Sequence, residues 1–86
     1  FVVGFAAETN SIIKNAKRKL EGKKLDLIFA NNATETFDSD AISATAISSD
    51  FEQEILPGNK NSVARIMLQI IFDARERKSK LSDGSK

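Results

Sequence analysis

Two short apolar runs, one on each side of an amphipathic segment, constrain this chain more than any other feature. The first, Phe1-Val2-Val3-Gly4-Phe5-Ala6-Ala7, is continuous rather than alternating. That suits a strand shielded on both faces, as inside a parallel sheet. The second, Leu25-Asp26-Leu27-Ile28-Phe29-Ala30, is of the same kind. Between them Ile12, Ile13, Ala16 and Leu20 recur at helical spacing and make one apolar stripe. Thr9 or Asn10 offers a side-chain oxygen to cap the start of that helix, and Gly22 is placed to end it in a left-handed turn. Strand, helix and strand of these lengths predict a βαβ unit. A strand as apolar as the first needs neighbours on both sides, so the chain reads as a fragment with residues missing upstream of Phe1.

Downstream, Asn31 to Asp40 is polar and reads as a loop. Two weaker strands, Ala41–Ser48 and Phe51–Leu56, meet at Ser49-Asp50 and predict an antiparallel hairpin. Pro57-Gly58-Asn59 interrupts the chain. Ser62 can then cap a last helix whose inner face carries Val63, Ile66, Met67, Ile70, Ile71 and Ala74. From Arg77 to Lys86 the sequence is charged and contains Ser and Gly, which predicts a frayed tail beyond a folded part of residues 1–76. The order β-α-β-β-β-α predicts an α/β fold whose sheet ends in an antiparallel extension.

Composition narrows the chemistry. Cysteine and histidine are both absent, which removes thiolate and imidazole chemistry together. What remains is lysine, carboxylates, amides, hydroxyls and the backbone. A net charge of +1 gives no reason to expect nucleic acid or a membrane surface as partner. No apolar run approaches the ~20 residues of a bilayer span, and the cytosol is the simplest location. At 86 residues the chain is one small domain or part of a larger one.

Ligands of open α/β sheets bind beyond the carboxyl ends of parallel strands, here Gly4–Thr9 and Ala30–Asn32. Gly4 permits close approach and Phe5 offers an aromatic face, although both also fit a plain strand core. Lys14, Lys17, Arg18, Lys19, Lys23 and Lys24 crowd one helix and its end, with only Glu21 among them. On a helical wheel Lys19 falls beside the apolar stripe and Lys23 follows at the same edge. Ammonium groups there can hold phosphates, or can simply belong to a solvated helix face. Asp38 and Asp40, in Phe37-Asp38-Ser39-Asp40, fit either a magnesium ligand pair or an ordinary turn. No glycine fingerprint of a dinucleotide fold and no phosphate-binding Walker loop is present.

Three segments together resemble one family. They are Val3-Gly4-Phe5-Ala6-Ala7-Glu8-Thr9-Asn10; Ala16 to Lys19 with Lys23, running into Leu25–Asn31; and Phe37-Asp38-Ser39-Asp40 with the strand pair and last helix after it. Their order and spacing are similar to the C-terminal part of the bacterial phosphopantothenate–cysteine ligases. The resemblance implies a Rossmann-like ligase domain, of which residues 1–76 are the C-terminal part, acting as a homodimer. It implies that 4′-phosphopantothenate and L-cysteine are joined through an acyl-cytidylate, with CTP and Mg2+. FMN enters only where a decarboxylase domain is fused upstream. Residue by residue, it implies nucleotide contacts at Phe5, Lys19 and Lys23. The family's essential asparagine and principal phosphate-binding lysine precede the segment matched here. No catalytic residue and no metal ligand is therefore expected in this chain, and alone it is expected to be inactive. The alternative is a non-catalytic interaction module that pairs through the hairpin at 41–56.

Overall fold

A computed structural model describes residues 1–32 and 42–84. Six elements follow one another: β1 (Val3–Glu8), α1 (Ile12–Gly22), β2 (Leu27–Asn32), β3 (Ile42–Ile47), β4 (Glu52–Gly58) and α2 (Lys60–Gly84). Their order is the predicted β-α-β-β-β-α. The strands form one mixed sheet in the order β1-β2-β3-β4. β1 and β2 run parallel, in register from Val3 opposite Leu27 to Glu8 opposite Asn32. β3 turns back antiparallel to β2, and β4 antiparallel to β3, which is the expected hairpin extension. At the tip of that hairpin the Ser48 hydroxyl accepts from the backbone N–H groups of Asp50 and Phe51 and donates to the Asp50 carboxylate.

Alternation along β2 sends side chains to two separate cores. Leu27 and Phe29 face α2, packing with Ala44, Ala46, Ile55, Val63 and Ile70. Ile28 and Ala30 face α1, packing with Ala6, Ala16, Leu20 and Ile47. The sheet is thus sandwiched between one helix on each face. Alanine dominates under α1: Ala6, Ala16 and Ala30 are all buried. Small side chains there let the helix sit close to β1 and β2.

Among the described residues the first strand has one neighbour where its apolar run predicts two. β1 pairs with β2 and stands at the sheet edge rather than inside it. Phe1, Val2 and Phe5 are exposed, Phe5 by 71%. α2 lies over β3 and β4, which leaves Phe5 uncovered on that face of the sheet. β1 does approach its other neighbours closely. A Cβ on Gly4 would come within 2.6 Å of Leu25 Cδ1, so any side chain there must displace that leucine.

Helix ends also differ from the sequence reading. The N-cap of α1 is Ser11, in a left-handed conformation with φ 44°, and no side chain caps it. Asn10 contributes its carbonyl instead, which accepts from the Asn15 side-chain amide at 3.0 Å. At the other end Gly22 is the last helical residue and has no positive φ. The left-handed position is Lys24, with φ 53°. The Leu25 N–H bonds the Leu20 carbonyl and the Lys24 N–H the Glu21 carbonyl, the paired bonds of a Schellman motif. Gly22→Ala, with nothing within 4 Å of the added Cβ, is therefore expected to raise stability by about 0.5–1 kcal/mol. Lys24→Gly should raise it by a similar ~1 kcal/mol, since only glycine adopts that conformation without steric cost. Urea midpoints of the two variants check this. A loss of stability in Gly22→Ala would return the left-handed turn to Gly22.

α2 begins at Lys60, two residues before the expected cap at Ser62, because the Asn59 side-chain oxygen accepts from the Ser62 N–H at 2.8 Å. It continues past Arg77 as helix to Gly84, where the sequence suggested a frayed tail. Two anchors lie at that point. Arg77 pairs with Asp50 and lies over the Phe51 ring, and Lys78 pairs with Asp26. The Asp26 carboxyl is held below its usual range by the Lys78 ammonium and by the Val2 N–H that it accepts. Asp50 is lowered likewise, first by the Ser48 hydroxyl and then by Arg77.

Candidate functional site

The carboxyl end of β1 carries the features that the sequence singles out. Parity along β1 places Gly4, Ala6 and Glu8 on the α1 face and Val3, Phe5 and Ala7 on the α2 face. Phe5 stacks on Phe29, with ring centroids 5.6 Å apart and planes 24° from parallel. Its other face is open to solvent, so an aromatic surface is available to a ligand.

Lys19 lies in the last turn of α1, half-buried beside the apolar stripe as the helical spacing predicts. It turns toward β1, and its Nζ lies 2.6 Å from Glu8 Oε1. The Glu8 side chain is only 12% exposed. Its Oε1 is shielded from water, and the Lys19 ammonium is the charged group set against it. Lys23 is the C-cap of α1, exposed, one turn beyond Lys19 and so on the same side of the helix.

Lys19 is thus brought to the carboxyl end of β1, and Phe5 is not on its side of the sheet. A ligand that touches both must pass around the open edge of β1. Of the other cations, Lys17 pairs with Glu52, and Lys14 and Arg18 are exposed. Glu8 had no role in the sequence reading. Period-two parity along the first run, set against Lys19 beside the helix stripe, was the signal that could have found it.

A hollow of about 280 Å³ lies at the opposite end of the sheet, lined by Phe1, Asp26, Asp50, Phe51, Arg77 and Lys78. It is bounded by the two anchoring ion pairs of α2 and is remote from Glu8. Among the described residues no three carboxylates gather into a group that could hold a metal ion. Asp38 and Asp40, and the magnesium reading attached to them, lie outside the described residues. Among those residues no helix is long and apolar enough to cross a membrane.

Comparison with known proteins agrees with this layout. The family described as "DNA/pantothenate metabolism flavoprotein C-terminal domain" matches residues 1–74. The "Coenzyme A biosynthesis bifunctional protein CoaBC" of Escherichia coli strain K12 is 32% identical over 83 residues, covering 93% of this chain and 20% of that protein. The protein of the same description from Vibrio vulnificus strain YJ016 is 62% identical over 34 residues, covering 40% of this chain and 8% of its own length. The chain therefore spans a small part of the relatives it matches. Among solved structures, the C-terminal domain of a bifunctional CoaBC protein superposes with a TM-score of 0.71 at 30% identity, over 87% of this chain and 35% of that one. The DNA/pantothenate metabolism flavoprotein from Streptococcus pneumoniae, at 22% identity and a TM-score of 0.68 over 85% of this chain and 34% of its own, shares the fold. With the predicted βαβ unit, hairpin and last helix in place and the match running from Phe1 to Ala74, this chain belongs to the DNA/pantothenate metabolism flavoprotein C-terminal domain family.

Proposed function

We propose that this chain is the nucleotide-contacting part of a phosphopantothenate–cysteine ligase acting in coenzyme A biosynthesis. The observation that carries the reading is Lys19, drawn to Glu8 at the carboxyl end of β1 within the Gly4–Thr9 block. That is where open α/β sheets take their ligands. Membership in a family whose relatives are described as coenzyme A biosynthesis proteins supports the substrate class.

In the proposed reaction the carboxylate of 4′-phosphopantothenate attacks the α-phosphorus of CTP, and pyrophosphate leaves. The amine of L-cysteine then attacks the acyl carbon of the acyl-cytidylate and CMP leaves, with loss of the amine proton. Activation is needed because a free carboxylate is a poor electrophile. Lys19 and Lys23 supply positive charge that holds the polyphosphate of the bound nucleotide. Phe5 supplies an apolar surface for the nucleotide. Mg2+ accompanies CTP as part of the substrate complex, and no described residue is assigned to it. The remaining groups of the reaction belong to other segments of the ligase, which works in the cytoplasm as a homodimer. FMN belongs to a decarboxylase domain where one is fused.

The alternative, an interaction module built on the hairpin, fits less well. The outer strand β4 carries Glu52, Glu54 and Pro57, the kinds of residue that discourage edge pairing. Pyrophosphate release by the full-length protein that carries this chain decides between them. Release that requires 4′-phosphopantothenate and is faster with CTP than with ATP is the expected result. A folded protein that releases none with either nucleotide refutes the ligase reading.

A further inference from the structure

Glu8 is a carboxylate placed where a carboxylate is costly. Its side chain is 12% exposed, its Oε1 is shielded from water, and the one polar group recorded against that oxygen is the Lys19 ammonium at 2.6 Å. Ionised groups are stable in such places only with a partner of opposite charge. The partner is the Lys19 ammonium. A sheltered ion pair adds little net stability over an apolar pair of the same volume, so a contribution to folding is a poor explanation for it. The pair does fix the lysine. A free lysine side chain samples many rotamers. One whose Nζ is held at the end of a strand points in one direction before any ligand arrives.

We propose that Glu8 is a positioning residue, which holds the Lys19 ammonium at the carboxyl end of β1 ready for the nucleotide phosphates. The proposal rests on the reading of Lys19 as a nucleotide contact given above. Only one side of the ammonium faces Glu8. The Lys19 side chain is still 43% exposed, so the rest of its donor capacity is open toward solvent and an incoming anion. Glu8 itself stays beneath the lysine, where its charge is offset by the ammonium and is not presented to the phosphates. Rigid strand pairing from Gly4 opposite Ile28 to Glu8 opposite Asn32 fixes the carboxylate's own position.

A double-mutant cycle in the full-length ligase tests this, with variants Glu8→Gln, Lys19→Ala and the combination. Steady-state kinetics in CTP and thermal melts are recorded for each. Glu8→Gln keeps the shape and removes the charge. It is expected to raise the KM for CTP about tenfold with a much smaller change in kcat, a coupling of ordinary size for two groups in contact. In the Lys19→Ala background the same substitution should change nothing further, because the group it positions is gone. Glu8→Asp, which keeps the charge on a shorter arm, should recover part of the loss. Melting temperatures of Glu8→Gln and the wild type should agree within a few degrees.

The outcomes separate the two claims. If Lys19→Ala leaves the KM for CTP unchanged, the nucleotide contact at Lys19 is wrong and the role of Glu8 falls with it. If Lys19→Ala raises the KM but Glu8→Gln does not, Lys19 keeps its role and Glu8 loses the one proposed. If Glu8→Gln raises the KM equally with and without Lys19, Glu8 acts on the ligand or the fold by another route, and positioning is refuted. A Glu8→Gln melting temperature lowered in proportion to the KM change overturns it as well.

Discussion

Phe29→Ala should cost the 86-residue chain about 3–5 kcal/mol, the loss typical of removing a buried aromatic ring. Phe29 is 2% exposed in the middle of β2 and touches the cluster that joins β3, β4 and α2 to the sheet. A small domain has only about 5–15 kcal/mol of stability in all, so the variant should be partly or wholly unfolded at physiological temperature. Urea denaturation followed by circular dichroism measures it. Phe5→Ala is the control, since Phe5 stacks on the same ring from outside and is 71% exposed. It should cost about 1 kcal/mol or less, the worth of an aromatic pair at an open surface. Equal losses from the two would show that the outer face of Phe5 is covered in solution.

Ala16→Leu is the second large effect. Ala16 is fully buried between α1 and the sheet, in the layer with Ala6 and Ala30. Three added carbons have no space to enter, and overpacking of this kind costs about 1–3 kcal/mol. The consequence reaches the candidate site. Relief comes most easily by lifting α1 away from β1, and Lys19 is carried on that helix, three residues beyond Ala16. A chain that folds with Ala16→Leu should therefore have Lys19 drawn away from Glu8. Denaturation midpoints give the first part, and the nucleotide KM of the full-length ligase gives the second. Unchanged stability in Ala16→Leu would mean that the alanine layer does not set the height of α1.

Much of the architecture was legible in the sequence because apolar spacing determines it directly. The runs ending at Ala7 and Ala30, the stripe through Ile12, Ala16 and Leu20, and the pattern from Val63 to Ala74 all became the elements expected of them. Less legible was anything decided by one backbone angle. Gly22 looked like the left-handed residue of α1 because glycine adopts that angle freely, yet the chain turns at Lys24, where the bonds from Leu25 and Lys24 back to the helix require it. Capping went the same way. Thr9, Asn10 and Ser62 all have suitable oxygens, and the choice fell to Ser11 and Asn59 through local geometry that composition does not record.

Burial was the hardest to foresee, since it depends on which neighbour covers which face. The run from Phe1 to Ala7 is apolar enough for an inner strand, but α2 sits over the far half of the sheet and leaves Phe5 uncovered. In the candidate site, Lys19 was marked by its place beside the helix stripe, and the structure keeps it there. Glu8 went unremarked because a lone glutamate at a strand end is ordinary until its partner is seen. The separation of Phe5 from Lys19 across the sheet follows from odd and even positions along β1 once the face that α1 covers is known.

The two margins of the sheet are unlike. β4 is guarded by glutamates and a proline, while β1, unpaired on its outer side among the described residues, carries no charge before Glu8. A strand or segment that pairs along β1 binds the folded chain and has nothing to bind in the unfolded one. By mass action it must draw the folding equilibrium toward the native state. The stability of this polypeptide is then a property of its surroundings as much as of its own contacts, and a melting temperature for it has meaning only with a stated concentration and company.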